Sequence, residues 1–151
     1  MSSAALVSSC TPPRVKETRH VYTMGEPVSV GALFFNVLET SWSTQIGELP
    51  DTRLAKHQFL MVRLSITNGG GTHTGYPFLT LLHDTIGKAT EVDDAKNVKD
   101  WLGLIRMVNP GESDLGMIVF DVPQASYLLQ LSDGKIENEQ TALVSLPLRL
   151  A

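Results

Sequence analysis

The chain has 151 residues, 42% hydrophobic and 19% charged, which suits one domain around a single core and excludes a disordered or low-complexity chain. Its single cysteine excludes an internal disulfide and a thiolate metal cluster, and its longest apolar runs, such as Met117 to Phe120, are far short of the ~20 residues of a membrane helix. The net charge is −4, yet Arg14, Lys16 and Arg19 against Glu17 make residues 1–20 locally +2 and leave −6 on the rest, an acidic body that lacks the Lys/Arg cluster by which a nucleic-acid binder neutralises phosphates.

Residues 1–20 read as a separate unit, a truncated signal and tether ahead of a domain over residues 21–151. Leu6-Val7-Ser8-Ser9-Cys10 has the form of a bacterial lipobox, in which small residues before a cysteine allow cleavage and the thiol then carries a diacylglycerol. A secretory leader needs a basic start and an apolar stretch of about 7–15 residues. Here nine residues precede Cys10 and none is basic. The expectation is a lipid on Cys10, with Met1 lying inside a longer leader. The alternative is a cytoplasmic protein with an incidental cysteine.

From Val21 onward the dominant period is two. Leu33, Phe35 and Val37 form an alternating apolar series after Gly31. Leu60, Val62, Leu64 and Ile66 make one wholly aliphatic face, the opposite face is mixed, and Asn68-Gly69-Gly70-Gly71 ends the run. His83-Asp84-Thr85-Ile86-Gly87-Lys88 predicts a chain reversal. Ala95, Val98 and Trp101/Leu102 share a helical face with Asp93 and Asp94 at its start, so one short helix is expected there. Asn109-Pro110-Gly111-Glu112 places proline and glycine as a type II turn requires. Gly116, Ile118, Phe120 and Val122 form a further alternating series, and Ser132-Asp133-Gly134-Lys135 is a hairpin signal. The last series is Ala142, Val144, Leu146, Leu148 and Leu150; Pro147 within it predicts an edge strand or a bulge. Short strands without a βα alternation predict an all-β antiparallel sandwich of immunoglobulin type.

Catalytic templates find little to match. Gly111-Glu112-Ser113-Asp114-Leu115-Gly116 has the wrong spacing for a nucleophile elbow, and Gly87-Lys88-Ala89 fails as a phosphate loop. The histidines His20, His57, His73 and His83 are dispersed, so a metal or hydrolytic site would need the fold to gather His73, His83 and Asp84. Glu91, Asp93, Asp94, Asn97 and Asp100 are an oxygen-rich set that could hold calcium, although without EF-hand spacing; a solvated acidic face is the better reading. Tyr76, Trp42 and Trp101 offer rings that either anchor a partner or cap the sandwich.

The order of Gly25-Glu26-Pro27-Val28, Phe59-Leu60-Met61-Val62, Asn109-Pro110-Gly111-Glu112 and Gly116-Met117-Ile118-Val119-Phe120-Asp121-Val122-Pro123 resembles a bacterial domain-of-unknown-function family. The resemblance runs over about residues 21–150, and its most specific element is the Pro-Gly turn followed by the Phe-Asp-Val-Pro strand end. It implies lipoproteins or secreted proteins, an immunoglobulin-like sandwich related to a secreted mycobacterial antigen, and no catalytic residues to carry over.

The chain therefore reads as an extracytoplasmic, non-catalytic binding or protein-interaction module with no cofactor, touching the membrane only through Cys10. Its partner would be an envelope protein or a small ligand. A small-ligand or metal carrier is one alternative, and a hydrolase near His73, His83 and Asp84 is another. Loops on a rigid sandwich concentrate binding residues, so contacts are expected on residues 69–76 and 83–102, with His73, Tyr76, His83, Asp84 and Trp101.

Overall fold

Alternating apolar residues dictate how the strands stack. The computed structural model describes residues 20–149. In chain order its strands are β1 (Val21–Tyr22), β2 (Pro27–Val30), β3 (Leu33–Ile46), β4 (Arg53–Asn68), β5 (Thr74–Gly75), β6 (Thr80–His83), β7 (Gly87–Thr90), β8 (Met107–Val108), β9 (Ser113–Val122), β10 (Tyr127–Ser132) and β11 (Thr141–Leu146). One sheet has the order β2-β3-β4-β9, the facing sheet β1-β11-β10-β6-β7, and β5 pairs with β8. All named pairs are antiparallel except β1 with β11. The result is an immunoglobulin-like β-sandwich.

The aliphatic face of β4 meets the facing sheet as its alternation requires. Leu60, Val62, Leu64 and Ile66 are buried with Ile118, Phe120 and Val122 of β9 and with Leu81, Leu129 and Leu131 opposite. On β3, Leu33, Phe35 and Val37 point inward, but a bulge between Val37 and Glu39 shifts the register. Thr40 and Trp42 then stand opposite Val62 and Leu60, so the inward parity changes from odd to even. One unpaired residue thereby explains why the alternation stops at Val37 in the sequence. At the start of β10, the Tyr127 hydroxyl donates to the Pro123 carbonyl at 2.6 Å, the tyrosine-corner arrangement of Greek-key sandwiches.

Two expectations are corrected. The segment around residues 95–102 is not a helix, and there is none among the described residues. Its backbone bonds are isolated turns, Val98 N to Ala95 O and Trp101 N to Val98 O, and Asp100 takes a left-handed φ of 66° that a helix cannot continue. The apolar spacing serves another purpose: Ala95, Val98 and Trp101 lie over Phe59, Met61 and Val119 on the outer face of the four-stranded sheet, forming a second small core. Pro147, in turn, lies just past the end of β11, which is flanked by β10 and β1. Proline ends the strand and so costs no ladder bond.

The turns behave as their residues dictate. Glu112 N donates to Asn109 O at 3.0 Å, and Gly111 has the positive φ of 77° that a type II turn needs at its third position. The 83–88 reversal is the β6–β7 hairpin.

Leu64 is fully buried between the sheets. Leu64→Ala should lower the unfolding free energy by about 2–5 kcal/mol, read as a lower denaturant midpoint at unchanged slope.

Candidate functional site

Asn68, the last residue of β4, organises the loop that follows it. Its buried side chain donates through Nδ2 to Thr72 O at 2.7 Å and Val108 O at 2.8 Å, while Oδ1 accepts from Gly70 N at 2.8 Å. Both Nδ2 hydrogens and one lone pair of Oδ1 are engaged inside the protein, so the glycine-rich loop is wrapped around one amide. Gly69 lets the Phe34 ring pack against the loop, since a Cβ there would lie 2.5 Å from that ring and displace it.

Facing this loop is the β10–β11 connection. The hairpin expected at Ser132-Asp133-Gly134-Lys135 forms between β10 and β11, and its connection is a longer loop over residues 133–140 bonded by side chains. Ser132 Oγ accepts from Gly134 N at 2.9 Å and is hydrogen-bonded to Glu139. Asp133 Oδ1 accepts from Lys135 N at 3.1 Å and Gln140 N at 3.2 Å. Between residues 70–77 and residues 133–135 lies a cleft of about 620 Å³, with His73 and Lys135 among its lining side chains. Asp133 also lines it, is only 5% exposed, and leaves Oδ2 without a hydrogen-bond partner.

The wall behind the cleft is held by charge. Arg106 grips Glu91 through both oxygens, Nη2 to Oε1 at 2.7 Å and Nη1 to Oε2 at 2.8 Å, and both side chains are excluded from solvent. Glu91 Oε2 also accepts from Leu79 N at 2.6 Å; Arg106 Nε donates to Gly103 O at 2.9 Å, and the guanidinium stacks 4.0 Å from the Phe78 ring centre. Burial pushes the Glu91 carboxyl above the usual carboxylate range, opposed by Arg106 and the Leu79 N–H. Tyr76, also in the wall, donates its hydroxyl to Asp114 Oδ2 at 2.8 Å, and burial together with that carboxylate raises the phenol well above its ordinary value.

The structure separates residues that the sequence suggested might act together. His73 is exposed on the cleft, and Tyr76 is buried beside it. His83 and Asp84 lie at the opposite end of the sandwich, because β6 runs away from the cleft, with Thr80 opposite Gln130 and Leu82 opposite Leu128. There His83 Nδ1 accepts from Thr85 N and Ile86 N, both at 3.1 Å. These bonds assign the neutral ring as the Nε2–H tautomer, a turn cap rather than a base poised for a nucleophile. The proposed calcium set does not assemble either. Glu91 is committed to Arg106, Asp93, Asp94 and Asp100 are exposed, and no cluster of metal-ligating side chains occurs among the described residues. Asn97 instead donates to Asp51 O at 2.6 Å, and Arg53 donates to Asp94 O at 2.7 Å, fastening the segment to the β3–β4 hairpin.

Trp101 is half-buried and forms a parallel bridge with Met117, far from the open loop position expected of it. Trp42 packs against the main core and lies 6.5 Å from the Tyr127 ring, capping the far end. The loop expectation is thus corrected in part. Residues 70–77 do form one wall of a cleft, but the other wall is residues 133–135, while residues 91–102 cover a sheet face. Sequence reasoning missed Asp133 as a site residue; its signal, Asp-Gly, was legible only as a turn. Cys10 lies outside the described residues.

This chain belongs to the DUF4352 family, a domain of unknown function whose model matches residues 22–140. No curated protein matches it. Among solved structures it is similar to the yjhA protein of Bacillus subtilis, with 17% identity and a TM-score of 0.64 over 83% of this chain and 99% of that one. It is also similar to ycdA, a candidate lipoprotein of Bacillus subtilis, with 16% identity and a TM-score of 0.61 over 80% of this chain and 38% of that one. MPT63, a secreted protein of Mycobacterium tuberculosis, matches with 15% identity and a TM-score of 0.55 over 87% of this chain and 99% of that one. At these identities the likeness establishes a shared fold.

Two predictions follow from the wall. Glu91→Gln leaves the Arg106 charge buried without its counter-ion and should cost about 3–5 kcal/mol, whereas Glu91→Leu with Arg106→Met should cost less than either single change; denaturant titration of the cycle measures both. The raised Tyr76 phenol gives a sign to alkaline stability. The folded state holds the proton more tightly than the unfolded chain, so stability is unaffected well below a pH of about 10 and falls as pH rises above it. Tyr76→Phe should reduce that alkaline loss, read as a shallower decline of Tm with pH.

Proposed function

We propose that the protein is a non-catalytic binding module held outside the cytoplasmic membrane by a lipid on Cys10, and that its ligand or partner enters the cleft between residues 70–77 and 133–135. The observation that carries this reading is the cleft itself. It joins a glycine-rich loop, polar side chains and a buried carboxylate on a rigid sandwich, the setting in which binding sites are built. His83 and Asp84, which with His73 would have to assemble a hydrolytic site, lie at the other end with His83 serving as a turn cap, which favours binding over catalysis. The extracytoplasmic address draws support from the lipobox form of residues 6–10 and from the secreted and candidate-lipoprotein character of two structural neighbours.

Topology adds an orientation. Val21 lies beside Leu143 and Tyr22 beside Val144 in parallel, while Thr141 pairs with Ser132 next to the cleft. The chain therefore enters β1 travelling from the cleft end. The ten residues from Cys10 to His20 reach at most about 35 Å, so a lipid on Cys10 would hold the cleft end toward the bilayer.

The test has two readouts. In the native host, the gene extended upstream should yield a membrane-associated protein that Cys10→Ala releases; a soluble cytoplasmic wild-type product would end the anchoring model. Titration of the labelled full chain with envelope extract should shift the amide resonances of His73, Thr74 and Lys135. Shifts confined to the His83 hairpin or the strand faces would overturn the placement.

A further inference from the structure

We propose that Asp133 is the anionic anchor of the cleft and that the group it receives is a guanidinium or an ammonium. The proposal deepens the reading of the cleft as the binding site and rests on it. Three observations converge on this residue. The residue is 5% exposed, and two backbone N–H groups, from Lys135 and Gln140, both bond to Oδ1, which fixes the carboxylate while leaving Oδ2 unpartnered. Gly31 stands against that oxygen with a φ of 60°, and a Cβ there would come within 2.5 Å of Oδ2, so glycine is what lets the carboxylate seat in this position. Finally, no lysine, arginine or histidine among the described residues forms an ion pair with Asp133, although the residue lines an open cleft.

A carboxylate oxygen withdrawn from water without a donor is unfavourable, and the donors that complete such a site best are positively charged N–H groups. A metal ion would require further ligands, and the described residues assemble no such cluster. Lys135, exposed along the same cleft, sets a second condition. It repels a ligand with several positive charges and favours one that turns a single cationic group toward Asp133 with a neutral or anionic remainder outward. That group has two sources: a free molecule, or Arg14, Lys16 and Arg19 of the same chain, which precede a strand entered from the cleft end.

The isosteric change Asp133→Asn separates a ligand role from a structural one, because the amide oxygen can keep both backbone bonds while the second oxygen becomes an NH₂ donor. The probes are L-arginine amide and L-citrulline amide, both Nα-acetylated so that the first carries one cationic group, its guanidinium, and the second, with a neutral urea, carries none; each is titrated into the labelled full chain. L-Arginine amide should shift Gly31, His73 and Gly134 saturably, L-citrulline amide should bind at least tenfold more weakly, and Asp133→Asn should weaken L-arginine amide at least tenfold at an unchanged unfolding midpoint. If the chain's own basic residues fill the site, the combined change Arg14→Ala, Lys16→Ala and Arg19→Ala should tighten L-arginine amide at least tenfold; if a free molecule does, that change should leave the affinity unaltered. Equal affinity of the two probes, equal affinity of wild type and Asp133→Asn, or no binding to either the wild type or the triple variant would overturn the role of Asp133. Envelope extract that shifts the cleft resonances equally in wild type and Asp133→Asn would leave the cleft reading standing while the Asp133 proposal fails. Extract and amide both without effect on the cleft would end both.

Discussion

The bidentate pair between Arg106 and Glu91 is the constraint on which the irregular part of the molecule depends. The two residues are separated by 15 positions, and the chain between them leaves the sandwich, crosses an outer sheet face and returns. Closing such a loop has an entropic cost, and taking two charges out of water adds several kcal/mol per ion. The guanidinium fork, the Leu79 N–H, the Gly103 carbonyl and the Phe78 ring together supply the geometry that makes burial tolerable. Because the same pair grips residues 77–79, it couples the cover over one sheet to the wall of the cleft.

That cover also solves the problem of an exposed sheet edge. β9 is the last strand of its sheet, and its free backbone would invite pairing with another chain. Val92 N donates to Val119 O at 2.7 Å, Leu102 N to Met117 O at 3.1 Å, and Met117 N to Asp100 O at 2.8 Å, so the edge is occupied by the protein's own loop. Gly116 permits the approach: a Cβ there would lie 2.3 Å from the Asp100 carbonyl. The left-handed Asp100 and the unadorned Gly116 are therefore two halves of one contact.

The two ends of the sandwich then differ in kind. At one, the Tyr127 hydroxyl and His83 Nδ1 bond to local backbone, and the Tyr127 ring lies near those of Trp42 and His83. At the other, Asn68 and Asp133 each bind the backbone of their own loop, and the Asp133 carboxylate leaves Oδ2 without a hydrogen-bond partner. Solved structures share this fold with the chain at 10–17% identity, as expected when a pattern of alternation and a few turns specify the scaffold while the end loops vary.

The sequence by itself determined the strands whose two faces differ in polarity, and with them the sandwich class and most of the core. Leu33, Phe35 and Val37, the β4 series and the β9 series are legible because a period of two has only one buried solution. The Pro110-Gly111 turn was legible for a similar reason, since few residues adopt its backbone angles. Tertiary structure decided what depends on distant partners. The spacing of Ala95, Val98 and Trp101 was apolar in either a helix or a draped loop, and only the sheet face beneath them selects between the two. Glu91 read as one acid among five, because nothing local marks Arg106 as its counter-ion. Asp133 read as a turn residue, because an orphaned oxygen exists only once Gly31, 102 positions away, is brought against it. Local periodicity is written in neighbouring residues, whereas charge pairing and an unfilled hydrogen-bond site are properties of groups that meet only after the chain has folded.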